Sequence, residues 1–173
     1  RIFSAFALRG LKYLNAVEKH ELLPYVDWLC QEMQLFAEGR TRRLMISLPP
    51  RHLKTSLAIC LVGWILGLLP WAKILVLSHS EKLAEKFAYA VRVLVASPFY
   101  QRAFPDTRIA DNRSKLMDFV TTARGGLCSS SIKGSVTGIG ADFIIVDDPM
   151  QIRHWDDLAR MEGEAGHCTV GFT

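Results

Sequence analysis

The spacing of apolar residues changes several times along the chain, and each change marks an element. Leu22, Tyr25, Val26, Leu29, Met33 and Phe36 recur at three and four. That period predicts a helix from Leu22 to Glu38 with one buried stripe, closed by Gly39. Arg43 to Leu48 then reads as a short buried strand. Pro49-Pro50 can neither join a ladder nor continue a helix, so a loop begins there. The apolar run after Thr55 reads as a helix, and Lys73 to Ser78 as a second buried strand. Ser78 and Glu81 stand in the S-x-x-E capping arrangement. They predict a helix to about Ala96, with Leu83, Phe87, Ala90, Val91, Leu94 and Val95 on one side, stopped by Ser97-Pro98. Leu116–Thr121 and Leu127–Ile132 read as strands around Gly125-Gly126, followed by a glycine-rich loop from Gly134 to Gly140. Phe143 to Val146 reads as a further buried strand, ending in Asp147-Asp148-Pro149. Beyond Asp148 the pattern weakens, and Gly163 to Thr173 yields no clear element.

Continuously apolar strands alternating with helices predict an α/β fold, a mostly parallel sheet with helices on both faces. The length of 173 residues suits one domain with a real core. Hydrophobic residues make up 50% and charged residues 22%, which excludes a disordered chain. The apolar run from Leu57 to Leu69 stops at Pro70, short of the roughly 18–20 residues of a membrane span, so a buried helix is expected and no membrane partner. Arg9 and Lys12 interrupt the N-terminal apolar run, which is unlike a signal peptide. A net charge of +4 is compatible with a nucleic-acid partner without requiring one. Cys30, Cys60, Cys128 and Cys168 form no CxxC pair and no zinc spacing with histidine, so free thiols in a reducing cytoplasm are expected.

The chemistry lies at two strand ends. Pro49-Pro50-Arg51-His52-Leu53-Lys54-Thr55 joins a strand to a helix, with Lys54 and Thr55 where a phosphate-binding loop needs them. The backbone N–H groups of such a loop wrap the phosphates, the lysine neutralises the outer ones and the hydroxyl holds Mg²⁺. Aligned on Lys54, the two glycines of G-x-x-x-x-G-K-[ST] fall on Leu48 and Leu53. A surface Lys-Thr after a strand would explain that loop equally well by itself. A second strand end carries Asp147 and Asp148. One acid there can hold Mg²⁺, as a Walker-B aspartate does, and its neighbour can orient or deprotonate water. A solvated Asp-Asp-Pro turn is the plain alternative. Both features on strand ends of one α/β sheet favour the nucleotide reading.

With these motifs in hand, the chain resembles the ATPase domain of the large terminase subunit of tailed phages. The resemblance runs through Leu48 to Ser56, Leu77-Ser78-His79-Ser80 with Leu83 to Lys86, Ser97 to Tyr100 with Phe104-Pro105, Thr121 to Gly125, Thr137 to Asp142, and Ile144 to Pro149. It covers about Leu22 to Gln151. It implies an ATP-driven motor that threads double-stranded DNA into a capsid in the host cytoplasm. The partners implied are a small terminase subunit and the portal, with the motor working as a homo-oligomeric ring. Carried over by residue, Pro50, Arg51, His52, Leu53, Lys54, Thr55 and Ser56 form the nucleotide loop. Lys54 contacts the phosphates of ATP, while Thr55 and Asp147 hold Mg²⁺. Asp148 takes the place of the catalytic acid, which is a glutamate in many relatives. Arg51 is a candidate for stabilising transition-state charge, with ground-state pairing to an acid or phosphate as its other role.

The expected organisation is a helical lead-in over 1–40, a P-loop ATPase core over 41–152 and an irregular tail over 153–173, incomplete at the C-terminus and without the family's nuclease domain. Asp156, Asp157, Glu162 and Glu164 lack the strand context of a nuclease site. A helicase-like nucleic-acid-stimulated NTPase shares both motifs. An inactive truncated remnant that binds subunits or DNA is the non-enzymatic alternative. His52 reads as a spacer, Ser78 and Ser80 as helix caps, and Gly138 and Gly140 as a mobile loop or tight turn. Tyr100 and Arg102 read as a solvated face or a DNA contact.

Overall fold

The computed structural model describes residues 2–14, 23–134 and 138–149. The expectations for the 153–173 tail, for Cys168 and for the middle of the Gly134–Gly140 loop lie outside these residues.

The elements run α1 (Phe3–Leu14), α2 (Pro24–Ala37), α3 (Lys54–Leu68), β1 (Lys73–Ser78), α4 (Glu81–Ala96), α5 (Pro98–Ala103), β2 (Ile109–Ser114), β3 (Asp118–Thr121), β4 (Gly126–Ser131) and β5 (Phe143–Asp147). The five strands form one mixed sheet in the order β2-β3-β4-β1-β5. β1 pairs parallel to both β4 and β5, which makes a parallel core. The β2–β3 and β3–β4 pairs are antiparallel, so the sheet is less parallel than the apolar strand pattern suggested.

α3 is the axis of the fold. Its sequence is apolar on every side, and Leu57, Ile59 to Leu66 are all buried. A helix of this kind needs neighbours all round. α1, α2 and α4 supply them, together with β5. α1 presents Phe3, Phe6, Ala7, Gly10 and Leu11 to the interior, so the N-terminal helices share one core with α3 and α4. On the sheet, Ile74, Val76, Leu127, Phe143 and Ile145 belong to that core. Leu75, Leu77, Ile144 and Val146 alternate with them and lie outside it. Among the described residues the helical core therefore gathers on the face that carries Ile74, Val76 and Leu127.

The strand expected over Arg43 to Leu48 is not formed. The segment alternates as a strand would, with Leu44, Ile46 and Leu48 packed inward and Met45 93% exposed. No ladder joins it to the sheet, because a cleft separates it from β5. Apolar alternation reports which side faces the core, and pairing needs a neighbour at ladder distance as well.

Candidate functional site

The loop before α3 carries an unusual backbone. Arg51 (φ 64) and Leu53 (φ 61) both adopt the left-handed conformation. Leu53 stands where the phosphate-loop pattern has its second glycine. The conformation that usually selects glycine is kept, at a cost of roughly 1–2 kcal/mol for a side-chain-bearing residue. Packing of the Leu53 side chain against the core offsets part of this. α3 begins at Lys54, and Leu53 provides no side-chain cap. The first N–H groups of the helix are thus left for water or for an anion.

Two hydrogen bonds tie the loop down. The Lys54 ammonium donates to the Leu48 carbonyl at 2.8 Å, closing the loop on itself. The Thr55 hydroxyl donates to Asp147 Oδ1 at 3.0 Å, joining residues 92 positions apart. β5 delivers Asp147 because it pairs in register with β1, with Ser78 opposite Asp147. One residue further on, the His79 N–H donates to the Asp148 carbonyl at 3.2 Å. Asp148 leaves the strand in a left-handed conformation (φ 45), which turns the chain out of the sheet.

Lys54, Asp147 and Asp148 line a cleft of about 190 Å³. Its other walls are apolar, with Leu44 and Ile46 from the extended segment and Ile144 to Val146 from β5. Burial raises the Asp147 pKa above the ordinary carboxylate range. The Thr55 hydrogen bond opposes that rise, the neighbouring Asp148 charge adds to it, and Lys54 lowers it. A partly dehydrated carboxylate beside a second one is a place where a cation relieves charge.

The donor set suits Mg²⁺ shared with a phosphate. Thr55 and Asp147 present hard oxygen atoms side by side. Ser78, buried at the adjacent register position, has a hydroxyl with no partner among the described residues. Mg²⁺ is commonly held by one or two carboxylates plus substrate phosphates. No group of three or more His, Cys, Asp or Glu that could form an all-protein cage occurs among the described residues.

The structure therefore brings Lys54, Thr55, Asp147 and Asp148 together. The remaining loop residues stand apart from the carboxylates in their contacts. Pro50 and Arg51 are exposed, and Arg51 makes no ion pair among the described residues. His52 Nδ1 lies 2.9 Å from the Pro50 carbonyl, and its ring packs on Tyr25 at 5.9 Å, so it braces the loop. Ser56 is half-buried in the first turn of α3. Tyr100 is fully buried and donates to the Gly63 carbonyl at 2.9 Å, so it offers nothing to DNA; Arg102 is exposed.

Sequence reasoning missed Ser78 by giving it a capping role. Ser80 is the cap of α4, accepting from the Leu83 N–H at 3.4 Å. The period of the strand held the signal: Ile74, Val76 and Ser78 share one face of β1. No protein-family model matches the chain, and comparison with curated proteins found no match either.

Proposed function

We propose that the chain is a Mg²⁺-dependent ATPase, the hydrolysing part of a viral DNA-packaging motor of the terminase large-subunit kind. The observation that carries the nucleotide reading is the Thr55–Asp147 hydrogen bond, which joins the phosphate-type loop to the acidic strand end. The motor assignment rests on the resemblance of the Pro-Pro-Arg loop and the segments that follow it. Double-stranded DNA, a small terminase subunit, a portal, a ring of copies and the host cytoplasm enter with that resemblance. No helix among the described residues is long and apolar enough to cross a membrane.

The roles follow from the chemistry of the cleft. Lys54 exchanges the Leu48 carbonyl for the outer phosphates, and the free N–H groups at the start of α3 add partial positive charge. Thr55 and Asp147 would hold Mg²⁺. Bound there, it would neutralise phosphate charge. Asp148 orients water and accepts its proton as the water oxygen bonds to the γ-phosphorus. The bond from that phosphorus to the bridging oxygen breaks, releasing ADP and phosphate. Arg51, exposed on the loop, is available for charge developing on the transferred group.

Titration calorimetry with ATP and Mg²⁺ tests this. Wild type binds, and Lys54→Ala weakens binding about 100-fold, as expected for losing one partner of a charge pair. Equal binding by the two proteins would remove the site assignment. Phosphate release stimulated by double-stranded DNA supports the packaging role. Stimulation by single strands alone would point instead to a helicase-like enzyme.

A further inference from the structure

We infer that Ser78 is a positioning residue of this site, donating its hydroxyl hydrogen to the Asp147 carboxylate when that carboxylate holds a divalent cation. The inference rests on the nucleotide-site reading above.

Ser78 is the last residue of β1, fully buried, and its Oγ has no hydrogen-bond partner among the described residues. A buried hydroxyl gives up water and needs something in return. Other buried hydroxyls of this protein have it. Ser97 donates to the Leu94 carbonyl at 2.6 Å, Thr107 to Leu66 at 3.0 Å and Ser129 to Ala84 at 2.9 Å. The other orphaned buried polar atom among the described residues, Trp64 Nε1, belongs to a side chain packed among phenylalanine rings. Ser78 differs by its neighbour, since the residue opposite it on β5 is Asp147.

The side chains share a face. Ile74 and Val76 precede Ser78 at alternate positions, Phe143 and Ile145 precede Asp147, and all four pack into the same core. Neighbouring strands lie about 4.8 Å apart, so a rotamer change in either side chain spans the gap. Thr55 already donates to Oδ1 of Asp147. Ser78 approaches from β1, on the opposite strand, so the two hydroxyls would fix the carboxylate from two elements. A carboxylate fixed in this way presents its remaining lone pairs to a cation without first reorganising.

The inference separates folding from function, because the hydroxyl has no partner among the described residues. Ser78→Ala, Ser78→Thr and Lys54→Ala would be compared with wild type in the 173-residue chain. Mn²⁺ stands in for Mg²⁺, with ADP as nucleotide, and bound Mn²⁺ is read by electron paramagnetic resonance. Ser78→Ala is expected to melt at or above the wild-type midpoint without ligand. Its Mn²⁺ affinity in the presence of ADP falls about tenfold, the loss of one hydrogen bond to a charged group. Metal-free ADP affinity stays within about twofold. Ser78→Thr, which keeps the hydroxyl, recovers most of the Mn²⁺ affinity. Unchanged Mn²⁺ affinity in Ser78→Ala would overturn the inference. So would a loss shared equally by metal-free ADP binding and the melting midpoint, which marks a merely structural role. If Lys54→Ala binds ADP like wild type, the nucleotide-site reading fails and this inference with it. If Lys54→Ala loses ADP while Ser78→Ala matches wild type in Mn²⁺ affinity, only the role of Ser78 falls.

Discussion

Through its C-terminal half α3 runs among rings and borrowed hydrogen bonds, whereas its N-terminal end is uncapped and strained. Trp64 meets Phe3 edge-on at 5.7 Å and Phe104 at 5.7 Å. The Gly63 and Leu66 carbonyls accept additional hydrogen bonds from Tyr100 and Thr107. Gly67 sits so close to the Phe104 ring that a Cβ there would lie 2.5 Å from it. At the other end, Leu53 is left-handed and gives no cap, and Lys54 is held by a carbonyl of its own loop. The contrast shows how one helix serves two purposes. Packing at one end holds the helix in place, so the other can keep unpaired donors and a costly backbone conformation next to Lys54, which lines the cleft.

The sharpest way to break the comparison is to empty the anchored end. Phe6 is 5% exposed and packs against Trp64, Phe99, Tyr100 and Phe104 with centroid distances of 5.3, 5.3, 6.1 and 5.6 Å. Phe6→Ala is expected to cost about 3–5 kcal/mol in urea unfolding, the usual loss for a buried phenylalanine. A cost below about 1 kcal/mol would mean that the rings do not anchor α3.

Smaller effects come from the hydrogen bonds at the same end. Tyr100→Phe and Thr107→Val should each cost about 1 kcal/mol. Burial raises the Tyr100 pKa, against the opposing influence of the neighbouring Thr107 hydroxyl and the Arg108 charge, so the phenol remains a neutral donor. Because the two side chains interact, the double variant should lose less than the sum. Strict additivity in urea titrations would show two independent clamps instead of one network.

The same contrast explains what could be read in advance. β1, α4 and β5 were legible because their apolar periods run unbroken between clear stops. The helix α1 was present in the pattern too, as Phe3, Phe6, Ala7, Gly10 and Leu11 follow helical spacing. Gly10 weakens that signal locally, yet it is where α1 approaches α3: a Cβ there would meet Cys60 Sγ at 3.0 Å. Ser97-Pro98 ends one helix and starts another, since the Ser97 hydroxyl accepts from the Tyr100 N–H at 3.2 Å and Pro98 fits a first turn. Residue types alone pointed to that stop and hid that start. β2 was illegible because Ile109–Ser114 is mostly polar and is defined by its partner β3. In the site, Lys54, Thr55, Asp147 and Asp148 were legible as motif residues. The role of Ser78 was not, because it depends on strand register.

The smallest expected effect sits at the strained end and asks what Leu53 supplies. Leu53→Gly relieves roughly 1–2 kcal/mol of left-handed strain. It also gives the unfolded chain more freedom, worth about 0.5–1 kcal/mol, and removes a partly buried side chain worth about 1 kcal/mol. These contributions nearly cancel, so stability should change by less than about 1 kcal/mol in urea titrations. Leu53→Val keeps the unfavourable φ, adds a branch at Cβ and shortens the packed side chain, so it should lose about 1–2 kcal/mol. If glycine instead cost more than valine, packing would be the main contribution of Leu53 and the left-handed turn would carry little strain. If the two fall in the expected order and Leu53→Gly also keeps nucleotide affinity, the requirement at this position is a backbone shape, which leucine meets only because the rest of α3 holds the loop in place.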